Sequence, residues 1–260
     1  MNENKKKKVI ETVRFLCICL VIIMGALCAR WVIGNNQIET IKRKTASAIA
    51  TEHVSVADEK ESITKYKVKF DELKKKNEDT VAYLAINNTD IAYIVVQKDN
   101  NEYYRTHDFS QKYNNAGWIF ADCQNNISNL DDNTVIYGCN KKDGSMFANL
   151  NELLYNIKGG NYKTYNVSFV TENAYYEGYI FAIYMADENS KYDTINFDNE
   201  NDKKIFVDTA AFKSSKSLAP IDYNSKILTL VTDANKGKRK TVAHIILTKT
   251  GDEINGKTTD

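Results

Sequence analysis

Residues 133–150 read NTVIYGCNKKDGSMFANL, and the rest of the chain is best interpreted outward from them. Thr134 to Tyr137 is a short run of β-branched and aromatic residues, which is typical of a strand, and a glycine ends it. The Asp143-Gly144 pair indicates a turn before the apolar pair Met146-Phe147, which is expected to close one end of the fold. The stretch therefore predicts a strand that delivers Cys139 to a loop, where functional side chains are commonly found.

The composition limits the class of protein. The chain has 260 residues, with 35 Lys and Arg against 34 Asp and Glu, so it has no basic surplus that would favour binding to nucleic acid. One Pro and 11 Gly do not indicate a disordered chain, and no internal repeat is evident. The length predicts one globular domain with an appendage.

The N-terminal appendage carries a cluster of four lysines, Lys5 to Lys8, ahead of an uncharged run from Phe15 to Ala29. This pattern predicts a cytoplasmic tail at residues 1–8, a transmembrane signal-anchor at residues 9–33 and a single-pass membrane protein whose domain lies outside the cell. A cleaved signal peptide and a lipidated Cys28 are the alternatives that the pattern leaves open.

The remaining chain divides by composition and periodicity. Residues 34–58 are predicted to be a polar linker, residues 59–252 a folded domain, and residues 253–260 a polar tail. Within the domain, the spacing of Ile63, Tyr66, Phe70 and Leu73 predicts a helix from Glu59 to Lys76. Alternating and β-branched runs then predict strands, with a short helix between the fourth and fifth. The strands are Thr80–Ile86, Asp90–Gln97, Tyr162–Val170, Tyr175–Met185, Ile227–Asp233 and Thr241–Leu247, and the helix is Asp202–Phe212.

Four segments, in order, resemble class B sortases, the membrane-anchored cysteine transpeptidases of Gram-positive bacteria. Residues 133–150 are similar to the family's NTIIYGHNMKDGSMFxxL, and residues 77–97 to its NxDxxGWIxIxxTxIxYPVxQ. Residues 99–109 and 116–126 are similar to DNxxYLxHDF and GxIFxDYRNN. The departures include Ala82 for Gly, Ile94 for Pro and Cys123-Gln124 for Tyr-Arg. The resemblance implies a mainly β (α+β) fold, an eight-stranded β-barrel with peripheral helices, over residues of about 60 to 250.

The resemblance also indicates where the chemistry would lie. The family's catalytic histidine corresponds to Cys139, and its nucleophilic cysteine, at the end of LTLSTC, corresponds to Asp233 in LTLVTD. The family's arginine, which opens the last strand, is placed at Lys238, with Arg239 beside it. Transpeptidation requires a thiolate, an imidazole and a guanidinium, and Asp233 is not a credible nucleophile for an amide. A carboxylate next to Cys139 would also raise the pKa of the thiol.

Three hypotheses for this pair follow. The site is degenerate, or it is a rearranged enzyme that uses Cys139, or Cys139 and Asp233 bind a metal ion or small ligand together with a histidine. The first is preferred, with no cofactor and no metal, since the spacing matches no ordinary metal motif. A disulfide between Cys123 and Cys139 also stays open.

The functional expectation is therefore a pseudo-sortase. It would bind a surface-protein sorting signal or a pilin peptide, or assist an active sortase in surface-protein or pilus assembly, with no nucleic acid partner and with the membrane reached through residues 9–33. The alternative is an active class B sortase transpeptidase, which attaches surface proteins to the cell wall or pilin with a rearranged active site.

Overall fold

The computed structural model describes residues 3–55, 62–158, 165–187, 189–214, 218–234 and 237–251. The chain divides into two compact units, Met1–Lys44 and Thr45–Asp260. The predicted polar tail at residues 253–260 lies outside the described residues.

The first unit is formed by one helix, α1 (Glu3–Thr45). Among the described residues, no helix is long and apolar enough to cross a membrane. The uncharged run from Phe15 to Ala29 is 15 residues, about 22 Å of helix, whereas a bilayer core is ~30 Å thick. This finding overturns the prediction of a single-pass anchor at residues 9–33, and with it the predicted placement of the domain outside a membrane.

The second unit contains a closed eight-stranded β-barrel, as the resemblance implied. The barrel strands are β3 (Thr80–Ile86), β4 (Ala92–Val96), β5 (Phe120–Ala121), β6 (Asn133–Tyr137), β7 (Asn166–Thr171), β8 (Tyr175–Ala186), β9 (Lys226–Ala234) and β10 (Arg239–Gly251). They run in the spatial order β10, β8, β7, β3, β4, β5, β6, β9. Neighbours are antiparallel except for β4 with β5 and β6 with β9, which are parallel.

The described residues of the second unit include three α-helices. They are α2 (Phe70–Lys74), α3 (Ala148–Lys158) and α4 (Glu200–Lys213). Asn199 begins α4 by accepting a hydrogen bond from the backbone N–H of Asp202, which is the usual N-cap arrangement. Val207 and Ala210 of α4 are buried in a cluster with residues of β6, β8, β9 and β10, so this helix covers the barrel wall.

A separate two-stranded sheet precedes the barrel. It pairs β1 (Ile49–Ser55) with β2 (Ser62–Val68), and α2 follows. The predicted helix from Glu59 to Lys76 is therefore wrong over Ser62–Val68, and Ile49–Ser55 of the predicted linker forms a strand. Tyr66 and Val68 alternate with Lys65 and Lys67, and that period of two is better satisfied by a strand.

Candidate functional site

The parallel pairing of β6 with β9 brings Cys139 and Asp233 to the same end of the barrel. Tyr137 pairs with Val231, and the N–H of Gly138 donates to the carbonyl of Val231 at 3.0 Å. Cys139 and Asp233 each lie two residues beyond that pair, so both reach the same end of the barrel. The Asn140 side chain fixes the arrangement by donating from Nδ2 to the Asp233 carbonyl at 2.9 Å.

The residue before Cys139 is a glycine because the backbone there passes close to two side chains. A Cβ at Gly138 would lie 2.5 Å from Cδ1 of Ile119 and 2.6 Å from the ring of Phe147. Phe147 in turn donates its N–H to the Cys139 carbonyl at 3.0 Å, and it is completely buried. The predicted Asp143-Gly144 turn is present, with Asp143 accepting from the N–H of Ser145 at 2.9 Å, and it holds Phe147 against the Cys139 backbone.

A cavity of about 290 Å³ opens at this end of the barrel. One part of its lining is aromatic and the other is polar or charged. The aromatic residues are Tyr104, Trp118, Phe120, Tyr137 and Tyr192, and the polar ones are Arg105, Cys139, Asp193, Thr232, Asp233 and Lys240. Trp118 is nearly fully buried and donates from its indole N–H to the Ile94 carbonyl at 2.8 Å, so it belongs both to the barrel interior and to the cavity wall.

Lys240 is the cation that faces Asp233. The two residues are directly opposite in the β9–β10 pair, and Nζ of Lys240 lies 2.5 Å from Oδ1 of Asp233. Lys238 and Arg239 are exposed and are not among the residues that line the cavity. Sequence reasoning missed Lys240. The strand register in the structure identifies Lys240, since Ala234 pairs with Arg239 and the next pair inward is Asp233 with Lys240.

The environment of Cys139 disfavours a thiolate. Burial raises the pKa of the thiol above its ordinary value, and the charges of Asp233 and Asp143 raise it further, while Lys141 opposes them. Since the thiolate is the nucleophilic form, Cys139 is a poor nucleophile at neutral pH. Cys123 and Cys139 are both free thiols, so the structure contains no disulfide between them.

None of the histidine side chains that the structure describes lines this cavity. His244 is completely buried on β10 between Tyr184 and Thr229, and burial lowers its pKa to about 3. His107 stacks on Tyr103, with ring centroids 4.1 Å apart. The side chain of His53 lies outside the described residues. An imidazole base for Cys139 is therefore lacking among the described side chains of the cavity.

The described residues contain no group of three or more His, Cys, Asp or Glu side chains arranged to hold a metal ion. In the cavity, Cys139 and Asp233 would offer one soft and one hard ligand. The ammonium group of Lys240 already donates a hydrogen bond to the Asp233 carboxylate. The donors present thus fit a metal poorly and suit polar contacts to an organic ligand better.

Two residues of the cavity come from the long connection between β8 and α4. Tyr192 and Asp193 lie in this segment, and the sequence offered no motif that would have assigned them to the site. Burial raises the pKa of Tyr192, as does the charge of Asp193, while Arg105 opposes the shift. The connection therefore contributes part of the cavity lining through Tyr192 and Asp193.

Comparisons with known proteins point to one family. Sortase B of Listeria monocytogenes is 30% identical over 227 residues, which are 85% of this chain and 90% of that protein. Sortase B of Staphylococcus aureus is 25% identical over 253 residues, which are 94% of this chain and 98% of that protein. No family model matches the chain.

Solved structures of sortase B are also similar to this chain. A sortase B–substrate complex of S. aureus superposes with a TM-score of 0.64 at 27% identity, covering 70% of this chain and 85% of that one. Sortase B of Clostridium perfringens superposes with a TM-score of 0.63 at 27% identity, covering 69% of this chain and 99% of that one.

Proposed function

Since this chain belongs to the sortase B family, we propose that it binds a sorting-signal peptide, from a surface protein or a pilin, in the cavity at the ends of β6 and β9, without cutting it. The observation that carries the proposal is the pairing of Asp233 with Lys240 beside a Cys139 thiol whose pKa is raised. The groups that would form an acyl-enzyme are replaced, while the cavity that would hold a peptide is kept.

The geometry argues against cleavage by either candidate nucleophile. An attack by the Asp233 carboxylate on an amide would form an anhydride and expel an amine that no described imidazole can protonate. An attack by Cys139 would start from the protonated thiol, and no described side chain of the cavity is an imidazole that could remove its proton. Among the described side chains of this cavity, transpeptidation therefore lacks both an activated nucleophile and an imidazole that could serve as the general acid.

The cavity supports binding of an extended peptide. Its aromatic wall offers apolar contact, and Asp193, Arg105 and the Asp233–Lys240 pair offer polar contacts at its rim. A sortase B of this fold has been solved with its substrate, which supports a peptide as the ligand class. Through a bound sorting signal, the protein would hold a surface-protein or pilin precursor and present it to an active sortase.

The test uses the full-length protein, a set of quenched fluorescent sorting-signal peptides and an amine acceptor, with Cys139→Ala as the matched control. We expect at least one peptide to bind with no turnover, and Cys139→Ala to bind it equally well. Cleavage by the unaltered protein that is lost in Cys139→Ala would instead establish an active transpeptidase that uses Cys139. Absence of binding to every peptide would overturn the proposed ligand.

A combined variant tests whether the cavity keeps its substrate geometry. Cys139→His, Asp233→Cys and Lys240→Arg together would supply an imidazole, a thiol and a guanidinium at the three facing positions. We expect this variant to cleave a peptide that the unaltered protein only binds, and the same variant with Asp233→Ala in place of Asp233→Cys to be inactive. A combined variant that binds but never cleaves would show that the cavity holds the peptide away from these groups.

A further inference from the structure

A buried chain of hydrogen bonds runs from the barrel wall to the connection that carries Tyr192 and Asp193. The side chain of Asn133, at the start of β6, donates from Nδ2 to the carbonyl of Thr194 at 2.8 Å, and the carbonyl of Tyr192 lies 3.4 Å away. Asn133 is completely buried. The connection is also held through the backbone, since the N–H of Asn133 donates to the carbonyl of Ile195 at 2.8 Å, whereas the side-chain contacts of Asn196 are 3.3 Å and 3.4 Å long and exposed to solvent.

The direction of every hydrogen bond in this chain follows from the carbonyls at its end. Carbonyl oxygens only accept, so Nδ2 of Asn133 must face the connection and Oδ1 must face Thr229. The hydroxyl of Thr229 then donates to Oδ1 of Asn133 at 2.6 Å, and its oxygen accepts from Nδ1 of His244 at 2.8 Å. The remaining nitrogen of the neutral His244, Nε2, accepts from the hydroxyl of Tyr184 at 3.1 Å.

We propose that Asn133, Thr229 and His244 act as positioning residues that hold the Tyr192–Thr194 segment against the candidate site and so set the shape of its peptide-binding cavity. The Thr229 hydroxyl is the central member, because it donates to Oδ1 of Asn133 and accepts from Nδ1 of His244. Without that hydroxyl, Oδ1 of Asn133 is left as an unsatisfied buried acceptor, and the amide loses one of the contacts that hold Nδ2 against the connection. This inference rests on the proposed function only for its effect on peptide binding.

The two threonine variants form a matched pair. Thr229→Val has nearly the same shape but lacks the hydroxyl, whereas Thr229→Ser keeps the hydroxyl and loses a methyl group. In the full-length protein, trypsin cleavage after Lys191, which is exposed and adjoins Tyr192, reports release of the connection, and cleavage after Lys226 at the start of β9 reports global unfolding. Asn196→Ala, which removes only the long exposed contacts, is the control within the connection.

We expect Thr229→Val to raise the rate of cleavage after Lys191 at least fivefold relative to cleavage after Lys226, and to weaken peptide binding by a similar factor. Thr229→Ser and Asn196→Ala should stay within twofold of the unaltered protein in both measurements. Equal behaviour of Thr229→Val and Thr229→Ser would overturn the inference. If no peptide binds the unaltered protein, the proposed function fails, but the ratio of the two cleavage rates still decides whether the network holds the connection.

Discussion

At the scale of single residues, Asp233 acts in opposite ways on its two neighbours in the cavity. Its carboxylate holds the ammonium group of Lys240 in an ion pair, and the same charge raises the pKa of Cys139. The side chains of the ion pair are 47% and 35% exposed, so the pair contributes little to stability, ~0–1 kcal/mol.

Removing this charge should make Cys139 more reactive. In Asp233→Asn the pKa of the thiol falls toward its ordinary value, so the thiolate fraction at pH 8 rises. We expect alkylation of Cys139 by iodoacetamide, followed by mass spectrometry, to become about three to ten times faster. Asp90→Asn removes an exposed carboxylate that does not act on Cys139, and it should leave the rate unchanged. A slower or equal rate in Asp233→Asn would contradict the electrostatic argument.

At the scale of elements, the barrel strands were largely predictable because their patterns are strong. Thr80–Ile86 matches the predicted strand residue for residue, β8 is one residue longer than predicted at its C-terminal end, and β9 is one residue longer at each end. The helix α3 was missed. Lys240 was missed because a strand register depends on its partner strand, which single-sequence patterns do not contain. Tyr192 and Asp193 were missed because tertiary contacts alone bring an irregular connection to the cavity.

The short helix α2 carries a buried side chain, Phe70, whose truncation should lower the stability of the fold. Phe70 is 1% exposed, and Phe212, on α4, is 87% exposed, so the two allow the same substitution in opposite environments. We expect Phe70→Ala to lower the free energy of unfolding by ~3–5 kcal/mol, because it leaves a cavity, and Phe212→Ala to change it by less than ~0.5 kcal/mol. Urea denaturation followed by circular dichroism measures both. Similar losses in the two variants would mean that α2 does not pack as described.

At the scale of the whole molecule, the buried His244 links stability to pH. Its pKa is about 3 in the folded protein and ~6.5 when unfolded, so the unfolded chain binds a proton first as the pH falls. The contribution of the neutral histidine is complete above about pH 6.5 and is lost progressively as the pH falls toward 3. The exposed carboxyl groups of Asp187, Asp208 and Asp222, whose pKa values are lowered, act in the same direction.

Substitution of the histidine separates its share from that of the carboxyl groups. Between pH 7 and pH 4.5 we expect the unaltered protein to lose ~2.5 kcal/mol of unfolding free energy through His244, in addition to the loss through the carboxyl groups. His244→Gln cannot titrate, so its loss over the same interval should be smaller by that amount. Urea titrations of both proteins at the two pH values provide the measurement. Parallel losses would show that His244 takes up its proton in the folded state.

The parallel seam between β6 and β9 joins strands that are roughly ninety residues apart along the chain. Closing a loop of that length costs entropy before any contact is made, and such non-local pairings form late in folding. Cys139 is synthesised long before Asp233 and Lys240, and it meets them only after β9 and β10 have been made and docked. During synthesis on the ribosome, a chain that ends before β9 therefore lacks Val231, Thr232, Asp233 and Lys240, and the cavity that they line is complete only once the last two strands are in place.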